Sequence, residues 1–390
     1  MRCTHPLHFP FSPLSKRGNI AEPILLNLLV YEVVKGAGAM SARLIAVLLL
    51  MSIFLVSCEK IDKGTPVTVN NLKGMFVVCE GIFGHADGDI TFYDSKLNQT
   101  TKNLYNSVNG MALGDVVQSF EIVDTLGFIV VNNSQKVTVV NMKDFKVVKT
   151  INGFSYPRSI VRADQNTVYV SNGNGSADNY IYSISLSTLK KSDSLRIATG
   201  PEKLINIDSK VYAAISGGFN NDGNSVIEID PATFSVTNAF TVASIPVDLV
   251  SDKDRNIWVY CKGVPDYTNW PNVSYTGAGI SKINTTTKTV NTLPIANMSS
   301  SGINNITVSK DGSIIYFLND ALYSMPLTAT TLPTSKVVDQ QFYGLDVDPQ
   351  SGNIVCMDAV NSKAVVYDKT GVKQFEVGTA TFPNSAVFSY

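Results

Sequence analysis

The amino-acid sequence predicts an all-β chain: a seven-bladed β-propeller, closed by its C-terminal strand and preceded by a lipoprotein signal peptide. Three observations carry this reading. A short alternating segment recurs seven times, with starts 42 to 54 residues apart. A run of β-branched and aromatic residues precedes each copy. A further strand pattern is missing at the start of the array and present at its end. The 390 residues carry 16% charge, 31 basic against 32 acidic, where soluble domains average about 25%. The loops are instead built from Asn, Ser, Thr and Gly. A net charge of -1 gives no global field to attract nucleic acid or an anionic membrane, so no nucleic-acid partner is expected.

The first element is an address label. Leu44 to Val56 is a nearly unbroken apolar run of 13 residues, too short for a spanning helix of about 20. Arg43 precedes it and Ser57-Cys58 follows, the basic, apolar and small-residue regions of an export signal. Leu55-Val56-Ser57-Cys58 resembles a bacterial lipobox, which implies that Cys58 is diacylated and becomes the first mature residue. Met40 stands at the right distance to be the true start. Residues 1–39 then read as a misassigned upstream extension, 40–57 as the signal peptide, 58–73 as the lipidated Cys and tether, and 74–390 as the propeller. An outer-membrane, lipid-anchored location follows, at the cell surface or facing the periplasm. Removing residues 1–57 leaves 26 basic and 30 acidic residues and one histidine, His85. Cys79, Cys261 and Cys356 each lie in an apolar strand-like run and read as buried, inert thiols.

The repeats follow. Ile90-TFY-Asp94, Val137-TVV-Asn141, Ile181-YSI-Ser185, Val226-IEI-Asp230, Ile280-SKI-Asn284, Leu322-YSM-Pro326 and Ala364-VVY-Asp368 alternate with period 2 and end in turn residues, the pattern of half-buried strands. Ahead of them stand MFVVC, GFIVVN, VYVSN, VYAAIS, IWVYC, IIYFLN and NIVCMD. A weaker Thr/Lys/Val strand follows each, and no segment after the leader shows a helical period. Four strands in 40 to 50 residues is the size of a propeller blade. The innermost strands carry a mark of their own: Pro157-RSIV, Pro201-EKLI, Pro246-VDLV, Ile303-NNIT, Phe342-YGLD and, more weakly, Ser119-FEIV. The first repeat begins directly at Gly74-MFVV, and the missing strand appears as Phe382-Pro383-NSAVF. Such a displaced strand would close the ring and remove its open sheet edges.

Val78-Cys79-Glu80-Gly81-Ile82-Phe83-Gly84 with Gly88-Asp89-Ile90-Thr91-Phe92-Tyr93-Asp94 resembles the opening block of the lipidated, YncE-like surface-layer propellers of Bacteroidetes. Residues 108–119 and 130–134 are similar to the next two blocks. Cys79 and Ile82 depart from the usual residues. The resemblance implies a surface lipoprotein of propeller fold. Some relatives, of BtuG type, capture cobalamin and pass it to a TonB-dependent outer-membrane transporter. It therefore implies a bulky small-molecule ligand and such a transporter as partner.

The residue inventory narrows the chemistry. A Ser-His-Asp triad, a His-ligated zinc or a His base would each need His85, which lies in the turn GHADGD. Only six glutamates follow residue 57. The chain reads as a binding protein with no cofactor and no catalytic residues. Asp87-Gly88-Asp89 and residues 220–224 are rich in oxygen but lack the spaced ligands and terminal bidentate Glu of a calcium loop. They read as tight turns that need positive φ, and Asn172-Gly173-Asn174-Gly175 does too. The connections between second and third strands share the face on which propellers bind ligands. The connection spanning residues 262–279 is the long one and carries Asp266, Tyr267, Trp270 and Tyr275. Phe83, Asn133, Phe219 and Asp320 occupy the matching connections of other blades. These eight are the candidate ligand-binding residues, since exposed aromatics give flat, amphipathic contact area suited to a corrin or a sugar. Two functions stay open: capture of a nutrient such as cobalamin, and a structural or adhesive role binding glycans or another surface protein.

Overall fold

A computed structural model describes residues 71–390, apart from 177 and 300–304. Residues 1–70, on which the expected upstream extension, signal peptide, lipidated Cys58 and most of the tether fall, lie outside the described residues, as does Ile303 of one inner-strand mark. The described residues fall within one compact unit, Gly64–Tyr390. Seven four-stranded antiparallel sheets follow one another along the chain, and each is a blade of a seven-bladed propeller. The strand runs expected from the sequence form the second and third strands of each blade, from Gly74–Cys79 and Asp89–Asp94 in blade 1 to Ile354–Asp358 and Lys363–Tyr367 in blade 7.

The inner strands are Val117–Val123, Pro157–Arg162, Pro201–Ile207, Pro246–Ser251, Ile306–Val308 and Gly344–Val347 in blades 2 to 7. Pro suits the first position of an inner strand because its missing N–H would pair with nothing there. In blade 1 the inner strand is Pro383–Ser389, hydrogen-bonded to Gly74–Cys79 along the pairs Gly74↔Ser389 to Cys79↔Pro383. It also packs beside the inner strands of blades 7 and 2.

Alternating side chains make a dry seam between each pair of neighbouring blades. Between blades 1 and 2, Phe76 sits 4.8 Å from Phe92 and 5.6 Å from Phe120, ring centre to ring centre, and stacks on Phe145. Cys79, Cys261 and Cys356 are free and buried in such seams, and burial pushes the Cys79 thiol up to about 12. Such thiols stay protonated and inert.

One element corrects the sequence reading, which expected no helix: Leu104–Asn109 is a six-residue helix. It is too short to show a period, and a tertiary contact holds it. The buried Asp89 carboxylate accepts the Tyr105 and Asn106 amides at 2.8 and 3.0 Å, groups that a helix start leaves without intrahelical partners. Leu104 and Tyr105 then fill the seam between blades 1 and 2. Asp89 thus serves the fold, and Asp87 Oδ1 accepts the Ile82 amide within its own turn.

Candidate functional site

Strands in a blade alternate in direction. The second-to-third connections and the crossings from one blade to the next therefore emerge on the same face, where the inner strands also begin. In five inner strands the ladder slips at the first residues: Val117/Ser119, Pro157/Ile160, Pro201/Leu204, Pro246/Asp248 and opposite Val78/Cys79. Such bulges re-aim side chains. The second residues of these strands, Gln118, Arg158, Glu202, Val247 and Asn384, stand at one level near the loop face. A cavity of about 520 Å³ runs along the axis and takes lining residues from all seven inner strands, with Lys262 added from a connection.

The polar groups at its mouth are interlocked. Arg158 Nε meets Glu202 Oε2 at 2.6 Å, and Arg158 Nη1 donates to Gln118 Oε1 at 2.6 Å. Glu202 Oε1 accepts the Ser216 hydroxyl at 3.2 Å. The Arg158 guanidinium lies 5.5 Å from the Tyr156 ring centre, and Phe219 meets Tyr156 edge-on at 5.3 Å. On the other side Glu80 accepts from Asn384 Nδ2 and from the Tyr343 hydroxyl, each at 3.1 Å. Burial pushes the Glu80 carboxyl up against the pull of these donors, Arg158 and Lys262. Burial also lowers Lys262 to about 8, although Glu202 opposes the shift. Deeper in the channel, burial raises Glu121 to about 7. Behind the lining, the buried Asp248 of blade 5 receives the Asn305 and Ile306 amides of blade 6 at 2.7 and 3.1 Å, with Lys203 3.9 Å away.

The sequence candidates stand around this mouth, in the connections of the same face. Phe83, Phe219, Tyr267 and Trp270 are exposed. The 262–279 connection is partly ordered by a two-stranded ribbon in which Val264–Asp266 pairs with Ser274–Thr276. Trp270 is in the turn at its tip, with its amide on the Tyr267 carbonyl. Tyr275 packs instead on the seam between blades 5 and 6. Asp266 accepts the Thr268 amide at 2.9 Å, Asn133 donates to Asp115, and Asp320 is held by Tyr323 at 2.6 Å and Lys336 at 2.8 Å. Asp266 thus orders its own turn, and Asn133 and Asp320 tie their connections to neighbouring segments. Of the eight candidates only Phe219 touches the interlocked polar set, through Tyr156.

Sequence reasoning missed Arg158, Glu202, Lys262 and Glu80. A signal was present for two of them, because Arg158 and Glu202 directly follow the marker prolines, at equivalent positions of their inner strands. His85 is exposed in a turn. Between blades 3 and 4 the connections meet backbone to backbone. A Cβ on Gly175 would stand 1.9 Å from the Gly217 carbonyl oxygen, and φ is +94° there, so only glycine fits.

A family model described as "Domain of unknown function (DUF5074)" matches residues 73–389, the whole blade array. The chain belongs to the DUF5074 family. Comparison with curated proteins gave no match. Among solved structures, the family domain is similar to a quinonprotein alcohol dehydrogenase-like protein from Bacteroides thetaiotaomicron. The TM-score is 0.64 at 18% identity, over 82% of this chain and 79% of that one. It is also similar to Kuenenia stuttgartiensis hydrazine synthase, with TM-score 0.58 and 17% identity over 78% and 98% of the two chains. The periplasmic gluconolactonase of Pseudomonas aeruginosa gives 0.59 and 10% over 81% and 99%. Such distant identities show the shared propeller fold, and three unlike names on one fold leave the chemistry to the site.

Proposed function

We propose that this DUF5074 propeller is a non-enzymatic, lipid-anchored surface protein that captures a small-molecule ligand at the mouth of its channel. One observation carries the reading: a half-buried polar set, Arg158, Glu202 and Lys262 in the channel lining with Glu80 acting on them from beside it, opens on a face where Phe83, Phe219, Tyr267 and Trp270 stand exposed. Polar groups converging within an apolar surround are what small-molecule sites use. The YncE-like resemblance adds the finer expectations of a cobalamin-like or glycan ligand and delivery to a TonB-dependent transporter. It also supports Cys58 as the anchor, and the last strand as the element that closes the ring.

Calorimetry against cobinamide, cobalamin and a glycan panel tests the reading. Truncating an aromatic anchor typically costs about 2 kcal/mol or more, roughly thirtyfold in affinity. Trp270→Ala should weaken the ligand found by at least that factor and leave the melting temperature unchanged. Binding that survives Trp270→Ala and is lost on changing the opposite face would place the site elsewhere. Intact-mass analysis of membrane-extracted protein should show an acylated Cys58 at the N-terminus. Residues 1–39 on the mature chain would refute that processing.

A second reading has its own support. Ile82, Met111, Val264 and Val360 are also exposed among the connections of this face, which adds apolar area on which another protein could dock. Pull-down with the immobilised mature domain, with and without Val360→Asp, separates adhesion from small-molecule capture.

A further inference from the structure

Hydrogen bonding at the channel mouth is lopsided. Both carboxylates are already satisfied by the protein. Glu202 holds Arg158 and Ser216, and Glu80 holds Asn384 and Tyr343. The cations are not. A guanidinium has five donors, and those on Arg158 Nη2 have no partner among the described residues, Nε and Nη1 being taken by Glu202 and Gln118. Lys262 lines the same cavity, and its Nζ makes no hydrogen bond or ion pair with any described residue. The charged groups that act on it are Glu202, Arg158, Asp248 and Glu80. Gly263, at φ +78°, turns the chain directly after it, and a Cβ there would meet the Ala278 amide nitrogen at 2.7 Å.

We infer that the ligand captured at this mouth carries an oxyanion, a carboxylate or phosphate, which binds Lys262 Nζ and the unused Nη2 edge of Arg158. The inference deepens the capture reading and rests on it. Donors without acceptors call for an acceptor-rich group, and charge-assisted bonds to an oxyanion are the strong ones. Partial burial of an ammonium that has no protein partner disfavours its charge, consistent with the fall of Lys262 to about 8. Only the protonated Lys262 attracts the oxyanion. Affinity should therefore be full below about pH 8 and fall as pH rises through that value.

The test uses the mature protein labelled with ¹³C at lysine Cε and followed by NMR. Trigalacturonate supplies the carboxylate, inorganic phosphate the phosphate, and maltotriose is the neutral control. One or both oxyanion probes should move the Lys262 midpoint up by about one unit, equivalent to tenfold preference for the charged lysine. Maltotriose should not. Lys262→Met should lose at least about tenfold in affinity for the active probe, and Lys262→Arg should retain it. The probe that responds identifies carboxylate or phosphate as the group taken. A Lys262 midpoint unmoved by both oxyanions, or equal binding to the Lys262→Met protein, would overturn the inference. If cobinamide or a neutral glycan still binds in a Trp270-dependent way, capture stands and only the oxyanion falls. If no probe of either set binds, capture falls with it.

Discussion

Deletion of Phe382–Tyr390 is expected to leave a protein that aggregates or melts more than about 10 °C lower than the full chain. The segment supplies the whole inner strand of blade 1, so its loss bares the edge of Gly74–Cys79, a strand buried at every residue. It also removes Ala386 and Phe388 from the seam with blade 7 and Val387 from the seam with blade 2. Burying a large apolar side chain contributes about 1.5–3 kcal/mol, against a net domain stability of about 5–15 kcal/mol. With an unfolding entropy of about 2.1 cal/mol/K per residue, each lost kcal/mol lowers the melting temperature of an array this long by about 1.5 °C. Polar stitching goes too: Asn384 Nδ2 bonds Glu80 and the Val117 carbonyl at 3.1 Å, and the Ala386 amide bonds Asp346 at 2.7 Å. Gly344 lies so close that a Cβ on it would sit 1.8 Å from the Asn384 carbonyl oxygen. Scanning calorimetry of the truncated chain checks the expectation. An unchanged melting temperature would show that blade 1 does not depend on its C-terminal strand.

The second large effect lies at the channel mouth. Arg158→Met should destabilise the fold by about 3–5 kcal/mol, because it leaves a buried carboxylate without its partner. The Glu202 side chain is only 13% exposed and meets Arg158 at 2.6 Å. Removing the charge as well, in Arg158→Met with Glu202→Gln, should recover most of the loss, since the buried charge itself is then gone. Urea unfolding of the two single variants and the double measures the coupling. A single-variant effect under about 1 kcal/mol, the value of an exposed pair, would mean that water reaches the pair freely. Ligand binding should fall in both variants, because Arg158 also shapes the face that meets the ligand.

What was legible in the sequence is what period and turn chemistry report. Alternation such as Val137-TVV-Asn141 depends only on a strand having one face in each seam, so the seven third strands and their predecessors could be read locally. Pro157, Pro201, Pro246 and Pro383 marked inner strands because a residue lacking its N–H is tolerated only where no neighbour awaits it. The short helix Leu104–Asn109 was not legible, because its first-turn amides are met by Asp89, a residue 16 positions away from Tyr105. The long 262–279 connection and the face it lies on were legible in the sequence, and the channel mouth on that face was not. Arg158 and Glu202 lie 44 residues apart, and Glu80 and Asn384 304 apart. Each reads alone as an ordinary polar residue beside a turn. Local order along the chain determined the blades. Only the packing of seven inner strands about one axis brought these groups into one half-buried mouth, because the axis of a propeller is shared by residues that no sequence window contains together.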